Sequence, residues 1–118
     1  MSKDKEDREL RDYLNDILEM IEDIRNFTEG ISYEELENNK KTLYAVIRCL
    51  EVLGEAVKKI PNYIKEEYPK IAWQEIAGMR DKLIYEYFGI DIEMVWDTIQ
   101  EDLSSLKETV TRIINGLH

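Results

Sequence analysis

The chain has 118 residues, of which 43% are hydrophobic and 36% are charged, with five glycines and two prolines. This length predicts one domain spanning residues 1–118, and the composition is typical of long amphipathic helices rather than of sheets or disordered chains. The net charge of −10 argues against non-specific nucleic-acid binding, and no apolar stretch reaches the roughly 20 residues of a membrane span. We therefore expect a cytoplasmic protein without a membrane partner.

The first predicted element is a long helix whose apolar residues alternate at spacings of four and three, which keeps one seam facing a neighbouring helix. The seam consists of Leu10, Leu14, Ile17, Ile21 and Ile24. Gly30 predicts a helix stop, and Ser32 with Glu35 has the spacing of a capping box. A short helix is therefore expected to begin after Ser32.

The second long helix is predicted from Leu43 to Ile60, where Pro61 ends it. Its seam is accompanied by a second stripe of mostly small residues, Ala45, Cys49, Val52 and Ala56. Two apolar faces indicate a helix that is central or lies at an interface. Gly54 indicates close approach by another helix or by a ligand, and close packing is the favoured explanation.

Two further helices complete the predicted fold. After Pro61, Asn62 is placed to cap a brief helical turn, and a helix is predicted from about Ile71 to Tyr87, stopped by Gly89. Asp91 is placed to cap a last helix, whose seam is Ile92, Trp96, Ile99, Leu103, Leu106, Val110, Ile113 and Leu117. The sequence thus predicts an all-α fold, an antiparallel four-helix bundle with an additional short helix.

Several charged or reactive side chains have both a chemical and a structural interpretation. An acidic stripe on the first helix suggests a di-iron site, but such a site also needs a Glu-x-x-His pair and the only histidine is His118. The stripe comprises Asp12, Asp16, Glu19 and Asp23. We interpret it as a solvated face, expect no metal, and interpret Cys49 as a buried packing residue.

The middle of the chain is the more cationic part. Residues 40–82 hold nine Lys or Arg against six acids, a balance of +3, so the rest of the chain carries −13. If the protein binds an anion, we expect the binding site in this part of the chain. Ordinary solvated helix faces explain the charges equally well. Arg48, Gly54 and Glu55 are candidates for lining a cleft there, and surface ion pairing is the alternative for the two charged residues.

The segment Met79–Phe88 is the most informative part of the sequence. On a regular helix Arg80 and Tyr87 share one stripe, whereas Tyr85 is rotated by about 140° from Arg80. Spacing alone favours core packing for aromatic residues at a helix end.

Taken with the rest of the chain, these residues resemble the HepT-type toxins of the HEPN superfamily (higher eukaryotes and prokaryotes nucleotide-binding domains). The resemblance extends over nearly the whole chain. It is carried by Arg11–Leu14, Ala45–Arg48, Gly54–Ala56, Trp73–Arg80, Tyr87–Asp91 and Val95–Trp96.

The family's signature is Arg, four residues, His, one residue and Tyr, and in this sequence it reads Arg80, Tyr85 and Tyr87. In similar proteins the Arg and His form a metal-independent ribonuclease site at a homodimer interface, with no cofactor. Their partner is a small nucleotidyltransferase antitoxin that transfers AMP to the tyrosine. The resemblance thus implies catalytic positions at Arg80 and Tyr85, modification at Tyr87, and RNA as substrate.

Two alternatives to a ribonuclease toxin remain open at this point. Tyrosine at the histidine position is also consistent with a catalytically impaired HEPN domain that binds RNA, a nucleotide or its antitoxin. A purely structural helical adaptor is the third interpretation, and it predicts no cleft at Arg80.

Overall fold

The fold is taken from a computed structural model, which describes residues 3–79, 81 and 91–117. Within these ranges every regular element is helical, which confirms the all-α prediction. No helix of the described part is both long enough and apolar enough to cross a membrane. The helices are α1 (Lys3–Thr28), α2 (Tyr33–Asn38), α3 (Lys40–Lys58), α4 (Asn62–Lys65), α5 (Trp73–Ala77), α6 (Ile92–Asp97) and α7 (Leu103–Asn115), with a π-helical segment at Thr98–Asp102.

Short local signals fix the ends of α1 and α2. Gly30 has a φ of 75°, the left-handed conformation that ends a helix with little strain when the residue is glycine. The Ser32 hydroxyl accepts a hydrogen bond from the Glu35 N–H, and the Glu35 carboxylate accepts one from the Ser32 N–H. Both the predicted stop and the predicted capping box are therefore confirmed.

The core lies along the predicted seams of the first two long helices. Leu14, Ile17, Ile21 and Ile24 of α1 are completely buried, as are Val46, Leu50 and Val57 of α3. α1 packs against both α3 and α7. Glu6 and Leu10 near the start of α1 line a cleft with Lys59, just beyond the end of α3, so these two helices run antiparallel.

The last long helix departs from its predicted register. Ile92, Trp96 and Ile99 were expected in the seam, but they are only half-buried, whereas Val95 and Thr98 take the buried positions. The π-helical segment explains the difference, because it widens one turn and separates Thr98 from the next buried residue by five positions.

The π-helical turn also determines which side chains face the core. A regular α-helical spacing of three or four from Thr98 would bring Glu101 or Asp102 into the core, whereas the wider turn brings Leu103 there. From Leu103 to Ile113 the predicted seam is confirmed, with Leu106 and Val110 completely buried, whereas its last member, Leu117, is half-buried.

Two local predictions near the middle of the chain are wrong in detail. Asn62 is the first residue of α4 and not its cap, since Pro61 precedes the helix and no side chain caps it. The helix expected from about Ile71 begins at Trp73 and is interrupted at Gly78, where the chain forms a turn. Residues 80 and 82–87 of that predicted helix, and the predicted stop at Gly89, lie outside the described residues.

Candidate functional site

The three signature residues, Arg80, Tyr85 and Tyr87, lie outside the described residues, but the structure defines the chain on both sides of Arg80. Met79 is buried, with 5% of its surface exposed. Asp81 is exposed, and its N–H donates a hydrogen bond to the Gly78 carbonyl at 3.1 Å. Of the two described neighbours of position 80, Met79 thus belongs to the core, and Asp81 is bonded to the turn at Gly78.

α5, which immediately precedes this turn, is fixed by buried side chains and by one side-chain hydrogen bond. Trp73 and Ile76 are both buried. The Trp73 indole Nε1 donates to the Tyr68 carbonyl at 3.0 Å, which satisfies the polar atom of a buried aromatic residue. The Gly78 N–H donates to the Gln74 carbonyl at 3.0 Å and closes the last turn.

The contact between α3 and α5 is a contact between backbones. A Cβ atom at Gly54 would lie 3.1 Å from the Ile76 carbonyl oxygen and 3.3 Å from that of Ala77, closer than nearly all such contacts in proteins. Glycine allows this approach without a shift of the neighbouring backbone, whereas any side chain requires the two carbonyl groups to move by a few tenths of an ångström. Of the two explanations left open for Gly54, close packing is confirmed, and the position predicted to line a cleft is covered by α5.

The two charged candidates on α3 lie at its surface. Arg48 is exposed, with 74% of its side-chain surface accessible, and its Nη1 lies 3.7 Å from Glu51 Oε1. Glu55 is also exposed, and its Oε1 lies 3.2 Å from Lys58 Nζ. Ion pairs between successive turns of a helix stabilise it by only about 0.3–0.5 kcal/mol each. Arg48 and Glu55 are therefore exposed to solvent, whereas Gly54 on the same helix is buried.

Sequence reasoning missed an acidic cluster beside α5. Asp102 is exposed, but partial desolvation raises its pKa above the ordinary value, and the negative charges of Asp97 and Glu75 raise it further. Glu75 belongs to α5, whereas the other two flank or lie within the π-helical segment. Because Glu75 is far from the others in the chain, no spacing rule predicts this proximity. A polyanion such as RNA is repelled from this side of the molecule.

A second acidic surface surrounds Tyr33 at the start of α2. Its ring packs edge-on against Trp96 of α6, with 5.9 Å between ring centroids. Desolvation is the largest cause that raises the pKa of Tyr33 above its ordinary value. The negative charges of Glu37 and Glu93 raise this pKa further. The phenol is thus held neutral at physiological pH, and it links α2 to α6 instead of acting as a base.

The acidic stripe of α1 and the single cysteine agree with their structural interpretations. Asp12, Asp16 and Glu19 are exposed and Asp23 is half-buried. Cys49 is buried, and its pKa is raised by burial and, to a lesser extent, by Asp23. A buried thiol with a raised pKa is a poor nucleophile, so Cys49 serves packing.

Comparison with protein families gives one match. A family model described as "Ribonuclease HepT-like" matches residues 17–113, which include α3, α5 and the whole signature from Arg80 to Tyr87. No solved structure gives a significant match.

Several curated relatives match over most of their own length. A protein of Methanocaldococcus jannaschii named "Putative RNase" is 52% identical over 110 residues, which cover 93% of this chain and 91% of the relative. A protein of Thermococcus cleftensis named "Probable ribonuclease HepT" is 53% identical over 100 residues, covering 85% and 91%. A "Putative RNase" of Caldanaerobacter subterraneus is 41% identical over 104 residues, covering 88% and 93%.

Proposed function

From the premise that this chain belongs to the HepT-like ribonuclease family, we propose that it is the toxin of a toxin-antitoxin pair and a metal-independent endoribonuclease. The observation that carries the proposal is the order Arg80, Tyr85, Tyr87 directly after an anchored α5. The net charge of −10 fits a protein that engages RNA at one local cationic position rather than through a broad basic surface.

Cleavage of RNA without a metal requires three functions. A base removes the proton of the 2′-hydroxyl, whose oxygen attacks phosphorus, and an acid protonates the departing 5′-oxygen. A cation stabilises the charge that builds up on the phosphate. The products are a 2′,3′-cyclic phosphate and a 5′-hydroxyl. Arg80 is assigned the cationic function, because a guanidinium stays charged and binds phosphate with two parallel hydrogen bonds.

Tyr85, at the family's histidine position, is assigned the donor function. Histidine has an ordinary pKa near 6.5 and serves as acid or base, whereas a tyrosine pKa near 10 leaves only about one phenol in a thousand ionised at pH 7. A neutral phenol donates a proton or a hydrogen bond to the departing oxygen and is a weak base, so the proton of the 2′-hydroxyl passes to solvent water. We therefore expect slower cleavage than in a variant with histidine at position 85.

Regulation is assigned to Tyr87, the acceptor of AMP from a nucleotidyltransferase antitoxin. Adenylylation joins the phenol oxygen to the phosphorus of AMP with release of pyrophosphate from ATP. The added phosphate carries negative charge and is a partner for the cationic Arg80, and the nucleotide occupies the space that substrate needs. Two protomers complete the site, so the active form is a homodimer.

Expression in a bacterial host tests the toxin assignment. We expect growth arrest with the parent chain and at least tenfold relief with Arg80→Ala. Arg8→Ala is the matched control, since it removes an exposed arginine of α1 by the same substitution and should leave the arrest unchanged. Equal arrest by the parent and Arg80→Ala would refute the assignment of Arg80.

Co-expression with the proposed nucleotidyltransferase antitoxin tests the regulation. Mass spectrometry should find one AMP on Tyr87 of the neutralised protein, and Tyr87→Phe should remain toxic when the antitoxin is present. Neutralisation of the parent with unmodified Tyr87 would contradict the mechanism.

A second function is favoured by the tyrosine at position 85. With so weak a base, the chain would be a HEPN domain that binds RNA, a nucleotide or its antitoxin without cleaving. Tyr85→His separates the two functions in the same assay. Toxicity that appears only in Tyr85→His identifies the parent as the binding form, whereas toxicity in both identifies it as a ribonuclease.

A further inference from the structure

Three cationic side chains converge on one cleft between α1 and α7, which we call the cationic cleft. It is lined by Arg25 of α1 and by Ser104, Lys107, Glu108, Thr111 and Arg112 of α7. Three cations and one carboxylate give a local balance of +2, in a chain whose net charge is −10. Because the members from α7 are all exposed, the cleft is open along the surface, as a polymeric ligand requires.

The guanidinium groups of the cationic cleft have hydrogen-bond donors to offer a phosphate. Arg25 Nη2 donates to Ser104 Oγ at 2.8 Å, which orients this half-buried guanidinium across the two helices. Arg112 Nη2 donates to Glu108 Oε1 at 3.0 Å, and a guanidinium with five N–H groups keeps further donors for a second anion. Since exposed ion pairs are weak, a phosphate competes with Glu108 for Arg112.

Arg112 also lines a second cleft, which we call the aromatic cleft. Its other walls include Tyr63 of α4, Tyr68 just beyond α4 and Ile113 of α7. Tyr63 is unusually exposed for an aromatic residue, with 65% of its surface accessible. Glu67 lines the same cleft, and its carboxylate is an acceptor for the amino group of a base such as cytosine. An exposed ring and an acceptor thus lie directly beside the three cations.

The combination of these two clefts is typical of proteins that bind single-stranded nucleic acid. Such proteins hold the phosphates in a cationic groove and stack unpaired bases on aromatic side chains. We infer that the two clefts form one accessory site for single-stranded RNA, with phosphates at Arg25, Lys107 and Arg112 and a base at Tyr63. The inference rests on the proposed function for the identity of the ligand. It adds a second local cationic position to that of Arg80 and no broad basic surface.

The length of the accessory site fits a short stretch of RNA. Ser104 lines the cationic cleft and Gly116 lines the aromatic cleft, and twelve residues of helix between them span about 18 Å. A stacked strand advances about 3.4 Å per nucleotide, so about five nucleotides cover this distance. A single-stranded probe of about ten nucleotides therefore reaches across both clefts.

The experiment measures binding of a fluorescent cytidine oligonucleotide of RNA to the full-length protein carrying Arg80→Ala. This substitution keeps the probe intact and removes the contribution of Arg80 itself. With Arg112→Ala added, Kd should rise at least about fivefold, because charged hydrogen bonds to phosphate are lost. Lys107→Ala should have a similar effect, which keeps the test independent of the pair between Arg112 and Glu108.

Arg8→Ala provides the matched control for the cations. Arg8 is an exposed arginine of α1 that lines neither cleft, so Kd should stay within about twofold. Salt gives a second readout, since three phosphate contacts predict that log Kd rises with log salt concentration at a slope of about 2. Arg112→Ala should lower this slope by about 0.7, whereas Arg8→Ala should leave it unchanged.

Substitutions at Tyr63 test the stacking of a base. Tyr63→Ala should raise Kd at least about fivefold, whereas Tyr63→Phe keeps the ring and should stay within about twofold. Duplex RNA of the same length should bind more weakly than the single strand, because its bases are not free to stack on a side chain. An acidic peptide would need the cations alone, so an effect of Tyr63→Ala distinguishes RNA from such a ligand.

Several results would overturn the accessory site. These are an Arg80→Ala protein that binds no RNA, an unchanged Kd in Arg112→Ala or Tyr63→Ala, and equal affinity for duplex and single-stranded RNA. A change of oligomeric mass in either variant, measured by light scattering, would also overturn it, because this surface would then be a contact between copies of the chain. A parent that cleaves no RNA refutes the ribonuclease assignment alone, since the binding measurements do not depend on cleavage.

Discussion

The bundle seam and the region around α5 are held together by different kinds of contact. In the seam, branched apolar side chains such as Ile17 and Ile21 of α1 fill the space between helices. At α5, two carbonyl oxygens lie so close to Gly54 that a Cβ atom there would be only 3.1 and 3.3 Å from them. Side chains adapt to a change by choosing another rotamer, whereas touching backbones have no such freedom. The seam therefore tolerates conservative substitutions in a way that the α5 contact does not.

Two single-residue deletions compare how the regular helix and the π-helical segment tolerate the loss of one residue. The deletion in the regular helix should have the largest effect on stability. Deleting Lys107 rotates the rest of α7 by about 100° and turns buried Val110 and Ile113 away from the core. Burial of each such side chain contributes about 1.5–3 kcal/mol, so the loss is comparable with the whole stability of a small domain. Circular dichroism and urea unfolding should find this variant largely unfolded.

Deleting Gln100 provides the contrast within the π-helical segment. The deletion shortens the spacing from Thr98 to Leu103 to four residues, which a regular α-helix accommodates with both still facing the core. We expect a folded protein whose free energy of unfolding is within about 1 kcal/mol of the parent. Similar losses in both deletions would contradict the register that we derive for α6 and α7.

Substitutions at Ile21 measure how adaptable the seam is. This side chain is completely buried, so Ile21→Ala should lower the free energy of unfolding by about 2–5 kcal/mol, whereas Ile21→Val should lower it by only about 0.5–1.5 kcal/mol. Urea denaturation measures both values, provided that the unfolding free energy falls with urea concentration at the same slope in the variants as in the parent. An equally large loss in Ile21→Val would show that the seam is as rigid as the α5 contact.

Trp73→Phe tests the attachment of α5. The substitution removes the indole N–H that bonds to the Tyr68 carbonyl and also reduces the buried volume. We expect a loss of about 1–3 kcal/mol in the same denaturation experiment. A parent-like stability would mean that the other contacts of α5 suffice to hold it.

Asp102→Asn has the smallest expected effect and concerns the acidic cluster. A raised pKa in the folded state means that the neutral form is favoured on folding, so the contribution is present below about pH 4 and is lost as pH rises through the raised pKa. At pH 7 the variant should therefore be more stable than the parent by less than about 0.5 kcal/mol, since water screens the group.

Melting temperatures of the parent and Asp102→Asn across pH 3–8 check the sign of this effect. The difference should be largest near neutral pH and should disappear at acid pH, where the aspartate is protonated. A parent that is more stable than the variant at pH 7 would show that the Asp102 charge has a favourable partner.

Much of the fold could be predicted because its signals are local. The spacing of four and three along α1 and α3 specifies which side is buried, and Gly30 and Ser32 determine helix ends through their own backbone and side-chain chemistry. The start of α6 after its Asp91 cap was predicted, but the most deeply buried side of its first turns was misassigned because two registers fit its apolar residues. Only the packing of Val95 and Thr98 against the rest of the core distinguishes them.

The site was predictable only in part, since its contacts join distant parts of the chain. Gly54 could be recognised as a position of close approach from its cost in a helix interior, but its partners in α5 could not. The proximity of Glu75 to Asp102 has no local signal either. The assignments of Arg80, Tyr85, Tyr87, Arg48 and Glu55 to cleavage, modification or the cleft stay predictions.

Cleavage of a defined RNA by the purified protein in excess EDTA tests the central claim most directly. We predict that the parent produces fragments ending in a 2′,3′-cyclic phosphate and a 5′-hydroxyl, and that Arg80→Ala reduces the rate at least 100-fold. Arg8→Ala should retain the parent rate. Loss of cleavage in EDTA, or an Arg80→Ala variant as fast as the parent, would contradict a metal-independent ribonuclease that depends on Arg80.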